Sequence, residues 1–230
     1  MKLIINADDY GYTKGNTEGI IEGYQKGIIR STTAICNMPY LEYGKQLAQA
    51  CPDLGIGVHL NLTAGYALTK NKTLTDEKGK FLGKKIIYTK ELDMDEVYAE
   101  WQAQIEKYIE VFKHKPTHLD SHHSVHDFNK LQSVVSSRLA QEYDIPMRRY
   151  SDYKYVSGFF GDTATVQHLI EIIKLHMGDN IEIMVHPGYC DLTLYRDSSY
   201  NWQRVKELDV LCNEEVMQFI KDNKIELVHY

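Results

Sequence analysis

Histidine and aspartate are concentrated in one ten-residue segment of the chain. The segment THLDSHHSVH, residues 117–126, contains four of the 10 histidines found among 230 residues. His118 and Asp120 are two residues apart on a predicted strand, so their side chains share a face. His122 and His126 are four residues apart, a spacing that can place both on one face of a helical turn. Imidazole and carboxylate are common metal ligands, so the segment predicts part of a metal site, with a histidine-rich polar loop as the alternative.

Two adjacent carboxylates follow the first apolar run of the chain. Asp8 and Asp9 occur in the sequence NADDYG, residues 6–11. Neighbouring side chains face apart on a regular strand, but both can enter one site where the chain curls at a strand end. One carboxylate could then bind a metal and the other could act as a general base. A turn without catalytic function is the alternative, because the Asp-Asp-x-Gly pattern favours turns.

Polar residues also end three other predicted strands. His59 in GVHLNLT could be a metal ligand or a core histidine, and His186 in MVHPG could be a general acid or part of a strand-ending turn. Either Arg148 or Arg149 in MRRY could reach a carboxylate such as Asp8 and set its pKa, or the two could form an exterior charged pair. A carboxylate and two imidazoles, with a second carboxylate as base and an imidazole as acid, would suit metal-assisted hydrolysis of a carbonyl compound.

These residues end short apolar runs that alternate with helix-period sequence, which predicts a parallel sheet with crossover helices. A barrel brings strand ends from its whole circumference to one mouth, whereas an open sheet concentrates its site at one switch point. The candidates come from strands one, three, four and six, so the sequence favours an α/β fold, an irregular TIM-like (β/α) barrel in a single domain over residues 1–230. About seven parallel strands are expected, at residues 2–7, 31–37, 54–62, 116–120, 145–150, 181–187 and 224–230.

Helices are predicted between these strands. Asp93 and Glu96 have the spacing of a capping box at the start of a helix over 93–113. The polar segments 63–90 and 150–162 are predicted to be long loops at the barrel mouth, where they would select the substrate. The other principal helices are expected at residues 13–27, 128–143, 163–177 and 201–222, the last broken near Asn213.

Composition excludes several classes of partner. The net charge is −6, and both nucleic acid and anionic membranes favour a basic surface. The N-terminal sequence turns polar after five residues, and no later run approaches the roughly 18 apolar residues of a membrane span. The four cysteines form no CxxC motif and are expected to be reduced thiols. We therefore expect a cytoplasmic protein that binds neither nucleic acid nor membrane.

The motifs NADDYG, GVHLNLT, PTHLDSHHSVH, MVHPG and IELVHY together resemble those of a known family. They are similar to the YdjC-like carbohydrate deacetylases, also called chitooligosaccharide deacetylases, which are related to the NodB-type polysaccharide deacetylases. The resemblance extends from residue 2 to about residue 230. It implies a (β/α) barrel that removes acetyl groups from the N-acetylglucosamine units of small chitooligosaccharides. Family members are commonly homodimers, and the substrate would be a small acetylated sugar.

The same resemblance implies one divalent metal ion and a role for each motif residue. The metal is given as Mg²⁺ in the family, although two imidazoles and one carboxylate suit Zn²⁺ better. Arg148 would pair with the base, and His126 and Asp120 would lie near the metal without being primary ligands. The implied metal ligands are Asp9, His59 and His122, with Asp8 as the general base that activates metal-bound water and His186 as the general acid.

Two other functions remain open from the sequence. A metal hydrolase on the same barrel could cleave another amide or a phosphoester, which predicts a phosphate-binding loop or a second metal bridged by Asp120 and His126. A sugar-binding protein on a degenerate enzyme scaffold would lack at least one of the four residues expected at the metal. All four are present: Asp8, Asp9, His59 and His122.

Overall fold

The computed structural model describes residues 1–230. Seven strands form one sheet in the order β4-β3-β2-β1-β6-β5, and β7 also pairs with β1. All of the strand pairings are parallel, and the sheet curls into an incomplete, irregular TIM-like barrel. The strands are β1 Lys2–Tyr10, β2 Ser31–Ala34, β3 Gly55–Leu60, β4 Leu119–Ser121, β5 Lys154–Val156, β6 Ile181–Val185 and β7 Glu226–Leu227.

Helices connect the strands and cover the outside of the sheet. The strands β2 and β3 are buried along their whole length, as expected for parallel strands covered on both faces. None of the helices is both long and apolar enough to cross a membrane. The helices are α1 Lys14–Lys26, α2 Leu41–Ala48, α3 Lys84–Ile87, α4 Met94–Phe112, α5 Lys130–Tyr143, α6 Val166–Leu175, α7 Leu192–Asp197, α8 Gln203–Leu211 and α9 Glu214–Asp222.

The fifth strand does not lie where the sequence predicts it. Met147 forms only an isolated parallel bridge with Leu119 of β4. Arg149 then adopts a left-handed conformation with φ 69°, and the amide of Tyr150 donates back to the Met147 carbonyl at 2.9 Å. This turn stops the pairing, and β5 forms instead inside the segment 150–162 that was predicted to be a loop. The prediction of a strand over residues 145–150 is therefore wrong.

The helix α4 holds the polar segment after β3 by its inner face. Asp93 caps the helix as predicted, but Glu96 does not complete a capping box. Its carboxylate accepts instead from the backbone amides of Lys72 and Thr73, at 2.7 and 2.8 Å. One turn further on, Glu100 accepts from the amides of Leu68 and Thr69, and Gln104 then hydrogen-bonds both backbone groups of Asn61. We call Glu96, Glu100 and Gln104 the α4 anchor.

Candidate active site

A bulge at the end of β1 turns two adjacent carboxylates into the same site. The register between β1 and β2 shifts between Ala7 and Tyr10. Asp9, inside that shift, has φ 73°, a left-handed conformation that aspartate tolerates better than most residues. The Asp9 carbonyl accepts hydrogen bonds from the Tyr12 amide and the Asn16 side chain, which fix this turn. Asp8 and Asp9 consequently both line the same cavity.

The two oxygens of the Asp9 carboxylate have different partners. Oδ1 lies 2.9 Å from Nδ1 of His122 and 3.3 Å from Nε2 of His59. Oδ2 accepts a hydrogen bond of 2.6 Å from Nη2 of Arg204. Burial alone would raise the pKa of Asp9, but Arg204 and His122 hold that pKa well below its usual range. Asp9 is therefore a carboxylate with one oxygen directed at two imidazoles.

His59 is oriented by a carboxylate on the neighbouring strand. Asp120 lies opposite His59 in the register of β3 and β4, and its Oδ1 is 2.7 Å from His59 Nδ1. Thr33 Oγ1 lies 3.1 Å from the same nitrogen and donates to Asp120 Oδ2 at 2.9 Å. Burial lowers the pKa of His59, but Asp120 and Asp8 outweigh it and raise that pKa to about 10. A cation bound by Nε2 would take the place of the proton held there.

Three ligand atoms meet the requirements of a single metal site. One carboxylate of Asp9 and the rings of His59 and His122 offer ligand atoms within 4.8 Å of one another. Protein ligands of a Zn²⁺ ion lie about 2.0–2.2 Å from it, so neighbouring ligand atoms are about 3 Å apart. The distances from Asp9 Oδ1 agree with this spacing, and the carboxylate behind His59 is the usual orienting partner of a metal-binding imidazole.

Arg148 is a buried cation shared by carboxylates from three strands. Its Nη1 and Nη2 donate to the two oxygens of Asp8 at 2.9 and 2.7 Å, and its Nε donates to Glu182 at 2.7 Å. Nη2 also lies 2.9 Å from Asp120 Oδ2. Burial alone would raise the pKa of Asp8, but the Arg148 guanidinium holds it far below its usual range. Asp8 is therefore ionised at any physiological pH.

His186 stands at the end of β6 beside two aromatic rings. The ring centroids of Phe160 and Tyr200 lie 5.5 and 5.6 Å from that of His186. The His186 amide donates to Glu207, which also accepts a hydrogen bond from the Tyr200 hydroxyl. Nδ1 of His186 has no hydrogen-bond partner, and burial lowers the pKa of His186 to about 4. At neutral pH the ring is therefore neutral and able to accept a proton before it donates one.

His126 does not share a helical face with His122. Only residues 122–124 form a short 3₁₀ turn, within which His123 and Ser124 both have φ 57°. These left-handed residues break the helical spacing, and His126 Nδ1 instead lies 2.5 Å from Ser121 Oγ. The expectation of a shared helical turn is therefore wrong. His126 and His118 are buried and do not line the cavity.

The cavity joins the candidate metal ligands to a wider opening. Its volume is about 440 Å³, within the range of small-molecule sites. The structure brings five of the predicted polar residues to its lining and places Arg148 and Asp120 in contact with Asp8 and His59. Further lining comes from the two predicted loop regions and the adjacent turns, through Thr63, Ala64, Lys84 and Phe160. The predicted residues that line the cavity are Asp8, Asp9, His59, His122 and His186.

Sequence reasoning missed the contribution of α8. Arg204 lines the cavity and binds Asp9, while Glu207 holds the His186 amide. A signal was available, because Arg204, Glu207 and Leu208 have the i, i+3, i+4 spacing of the buried face of an amphipathic helix. Two charged residues on such a face must be paired, which marks them as partners of the site.

The fold and site define an α/β-barrel protein with a centre of two histidines and one carboxylate. The family model of YdjC-like proteins matches residues 2–222. A carbohydrate deacetylase of Clostridium beijerinckii is 41% identical over 100% of this chain and 99% of its own length. Carbohydrate deacetylase 2 of Listeria innocua is 35% identical, with coverage of 100% and 98%. The chain belongs to the YdjC-like family.

Solved structures agree with this assignment. A crystal structure from Enterococcus faecalis, provisionally named as a cellobiose-phosphate cleavage protein, superposes with a TM-score of 0.93 at 33% identity. The superposition covers 100% of this chain and 97% of the Enterococcus faecalis chain. A family 4 carbohydrate esterase from Streptomyces lividans has a TM-score of 0.57 at 12% identity, with coverage of 97% and 90%, and therefore shares the fold.

Proposed function

We propose that this protein is a metal-dependent carbohydrate deacetylase that hydrolyses the N-acetyl group of N-acetylglucosamine units in small chitooligosaccharides. One observation carries the proposal: the ligand group of Asp9, His59 and His122 lies in one cavity with the Arg148-bound carboxylate of Asp8. The names of the Clostridium and Listeria relatives support the class of reaction.

A divalent cation would be held by Asp9, His59 and His122. When bound, it would polarise the acetyl carbonyl and lower the pKa of the attacking water. The donor set of one carboxylate and two imidazoles favours a borderline metal such as Zn²⁺, whereas the family resemblance favours Mg²⁺. Because His59 is protonated up to a pH of about 10 without a cation, metal binding releases a proton.

Asp8 would accept the proton of the attacking water. Arg148 holds both Asp8 oxygens, so the carboxylate keeps a fixed position near the candidate metal ligands. The low pKa of Asp8 makes it a weak base that is always available in its ionised form. Activation of the water by the cation therefore has to supply much of the driving force for this proton transfer.

His186 would protonate the departing nitrogen. An imidazolium whose pKa is about 4 is a strong acid toward an amine nitrogen, but few of these rings carry a proton at neutral pH. The proton must therefore reach His186 during the reaction, and the proton removed from water by Asp8 is its source. Water and the amide are consumed, and acetate and a free glucosamine nitrogen are formed.

The aromatic pair beside His186 would receive the sugar. Phe160 and Tyr200 stack with ring centroids 4.1 Å apart, and Phe160 is about half exposed at the cavity. An aromatic ring presents an apolar surface suited to the C–H face of a sugar. The homodimer, the cytoplasmic location and the absence of nucleic-acid or membrane partners remain predictions. Light scattering, cell fractionation and binding assays would check these predictions.

Acetate release tests the proposed function. We would strip the protein of metal, restore Mg²⁺, Zn²⁺, Co²⁺ or nothing, and supply N-acetylglucosamine or diacetylchitobiose. Acetate that appears only with a restored metal is the expected result. No acetate with any metal would overturn the proposed reaction. Release of phosphate from phosphorylated sugars under the same conditions would favour a metal phosphoesterase instead.

A further inference from the structure

Arg204 is a buried cation that the proposed reaction does not use. Its side chain is 3% exposed, and it extends from α8 to the Oδ2 atom of Asp9. Its Nε donates to the Tyr200 carbonyl at 2.9 Å, and its own carbonyl accepts from the Gly188 amide at 3.2 Å. The guanidinium is therefore fixed at two points before any ligand arrives.

The two oxygens of Asp9 contact different groups because Arg204 binds only one of them. With Oδ2 held by Arg204, only Oδ1 remains directed at His59 and His122. Without that bond, the carboxylate could rotate about its own side-chain bonds and turn Oδ1 away from the two imidazoles. The backbone of Asp9 does not prevent this, because the turn is fixed through its carbonyl group.

The position of Arg204 is costly, which indicates a specific role. Nη1 of Arg204 is buried and has no hydrogen-bond partner. A buried donor without a partner destabilises the folded state, because it has lost its hydrogen bonds to water. A buried apolar side chain at this position would avoid that cost but would leave Asp9 Oδ2 without its cation.

We infer that Arg204 is a positioning residue that orients the Asp9 carboxylate so that a single oxygen binds the metal. The inference rests on the metal site of the proposed function. Two effects of Arg204 on the metal oppose each other. Its positive charge repels a cation, whereas its hydrogen bond preorganises a ligand. Changing partners of metal ligands typically weakens metal affinity about 10- to 100-fold, so we expect preorganisation to dominate.

Metal titration of stripped protein tests this role without a substrate. We would measure Zn²⁺ and Co²⁺ affinity by calorimetry, and the visible spectrum of bound Co²⁺, for wild type, Arg204→Met and Arg204→Lys. Arg138→Met is the matched control, because that arginine is exposed and distant from the ligands. We expect Arg204→Met to bind about 10- to 100-fold more weakly with an altered Co²⁺ spectrum. Lysine should restore part of the affinity, because it can reach Oδ2 but not also Tyr200.

Each outcome separates this inference from the proposed function. Wild-type affinity and an unchanged spectrum in Arg204→Met would overturn the positioning role, while acetate release by the wild type would leave the proposed function intact. If Arg204→Met does not fold, Arg204→Gln decides, because glutamine is uncharged and shorter than arginine, and an unchanged affinity and spectrum there would also overturn the positioning role. A wild-type protein that binds no divalent metal would overturn both proposals together.

Discussion

Asp120 and His59 stand opposite each other on adjacent parallel strands, and Asp120 Oδ1 lies 2.7 Å from His59 Nδ1. The strand register thus sets the orientation of an imidazole, since Nδ1 faces Asp120 while Nε2 faces Asp9. Asp120 also contacts Arg148, which connects the candidate metal ligands to the cation that holds Asp8.

Asp120→Asn should weaken metal binding while the three proposed ligands remain in place. The amide can keep a hydrogen bond to His59 but loses the charge that orients and polarises the ring, so we expect about 10- to 100-fold lower affinity. Calorimetric titration of metal-stripped protein would measure the change. The exposed Asp179→Asn serves as control. Equal affinities in the two variants would show that Asp120 does not support His59.

Asp8→Asn should separate catalysis from metal binding. The variant keeps a side chain of the same shape beside Arg148 but cannot accept a proton, so turnover should fall about 100- to 10,000-fold. Metal content by elemental analysis should stay at the wild-type level. Asp9→Asn is the matched comparison, because it should lose metal instead. Near-normal acetate release by Asp8→Asn would remove Asp8 from the role of base.

Glu207→Gln should change how stability depends on pH. Burial raises the pKa of Glu207 from 4.5 to about 7, so the folded state binds this proton more tightly than the unfolded state. Stability from Glu207 is therefore present below pH 4.5 and is lost as the pH rises through about 7. Glutamine stays neutral at every pH. The free energy of unfolding of Glu207→Gln, relative to that of wild type, should therefore rise by up to about 3 kcal/mol between pH 5 and pH 8.

Urea unfolding of metal-free protein at several pH values would measure the effect of Glu207→Gln. The exposed Glu77→Gln should follow the wild-type curve at every pH. If the free energies of unfolding of wild type and Glu207→Gln differ by the same amount at every pH, Glu207 is ionised throughout this range.

Glu100→Gln should loosen the segment after β3 through the α4 anchor. Glu100 Oε2 accepts from both the amide and the hydroxyl of Thr69, at 2.9 and 2.7 Å, and Oε1 accepts from the Leu68 amide. Glutamine would place an N–H group against one set of these donors, at a cost of about 1–3 kcal/mol. Hydrogen exchange at the Leu68 and Thr69 amides should become faster. The exposed Glu110→Gln on the same helix should leave that exchange unchanged, and no difference between the two variants would refute the anchor.

The parts of the structure predictable from sequence are those set by local patterns. Alternating apolar runs and helical periods predicted the parallel barrel correctly, since each run could be assigned without knowing its neighbours. The grouping of Asp9, His59 and His122 was predictable because strand ends of a barrel meet at one mouth, whereas their assignment as ligands came from the family resemblance. Their catalytic and metal-binding roles stay predictions until they are measured.

The parts that sequence missed depend on partners distant in the chain. The strand predicted over residues 145–150 fails because Arg149 adopts a left-handed turn, which arginine does not signal. Glu96 has capping-box spacing but accepts hydrogen bonds from the amides of Lys72 and Thr73 instead. Arg204 lies 195 residues from Asp9, so only the folded chain reveals their pairing.

The α4 anchor holds one wall of the cavity with side chains that do not themselves line the cavity. Its three side chains hold backbone groups of the segment 61–73, and the segment's own Asn61 side chain adds hydrogen bonds to the Ala64 backbone. Ala64, which lines the cavity, is held only through its backbone, so its side chain could change from one relative to the next without loss of these hydrogen bonds. A substitution at position 64 could therefore change which sugar fits the cavity while the backbone of the segment keeps its path.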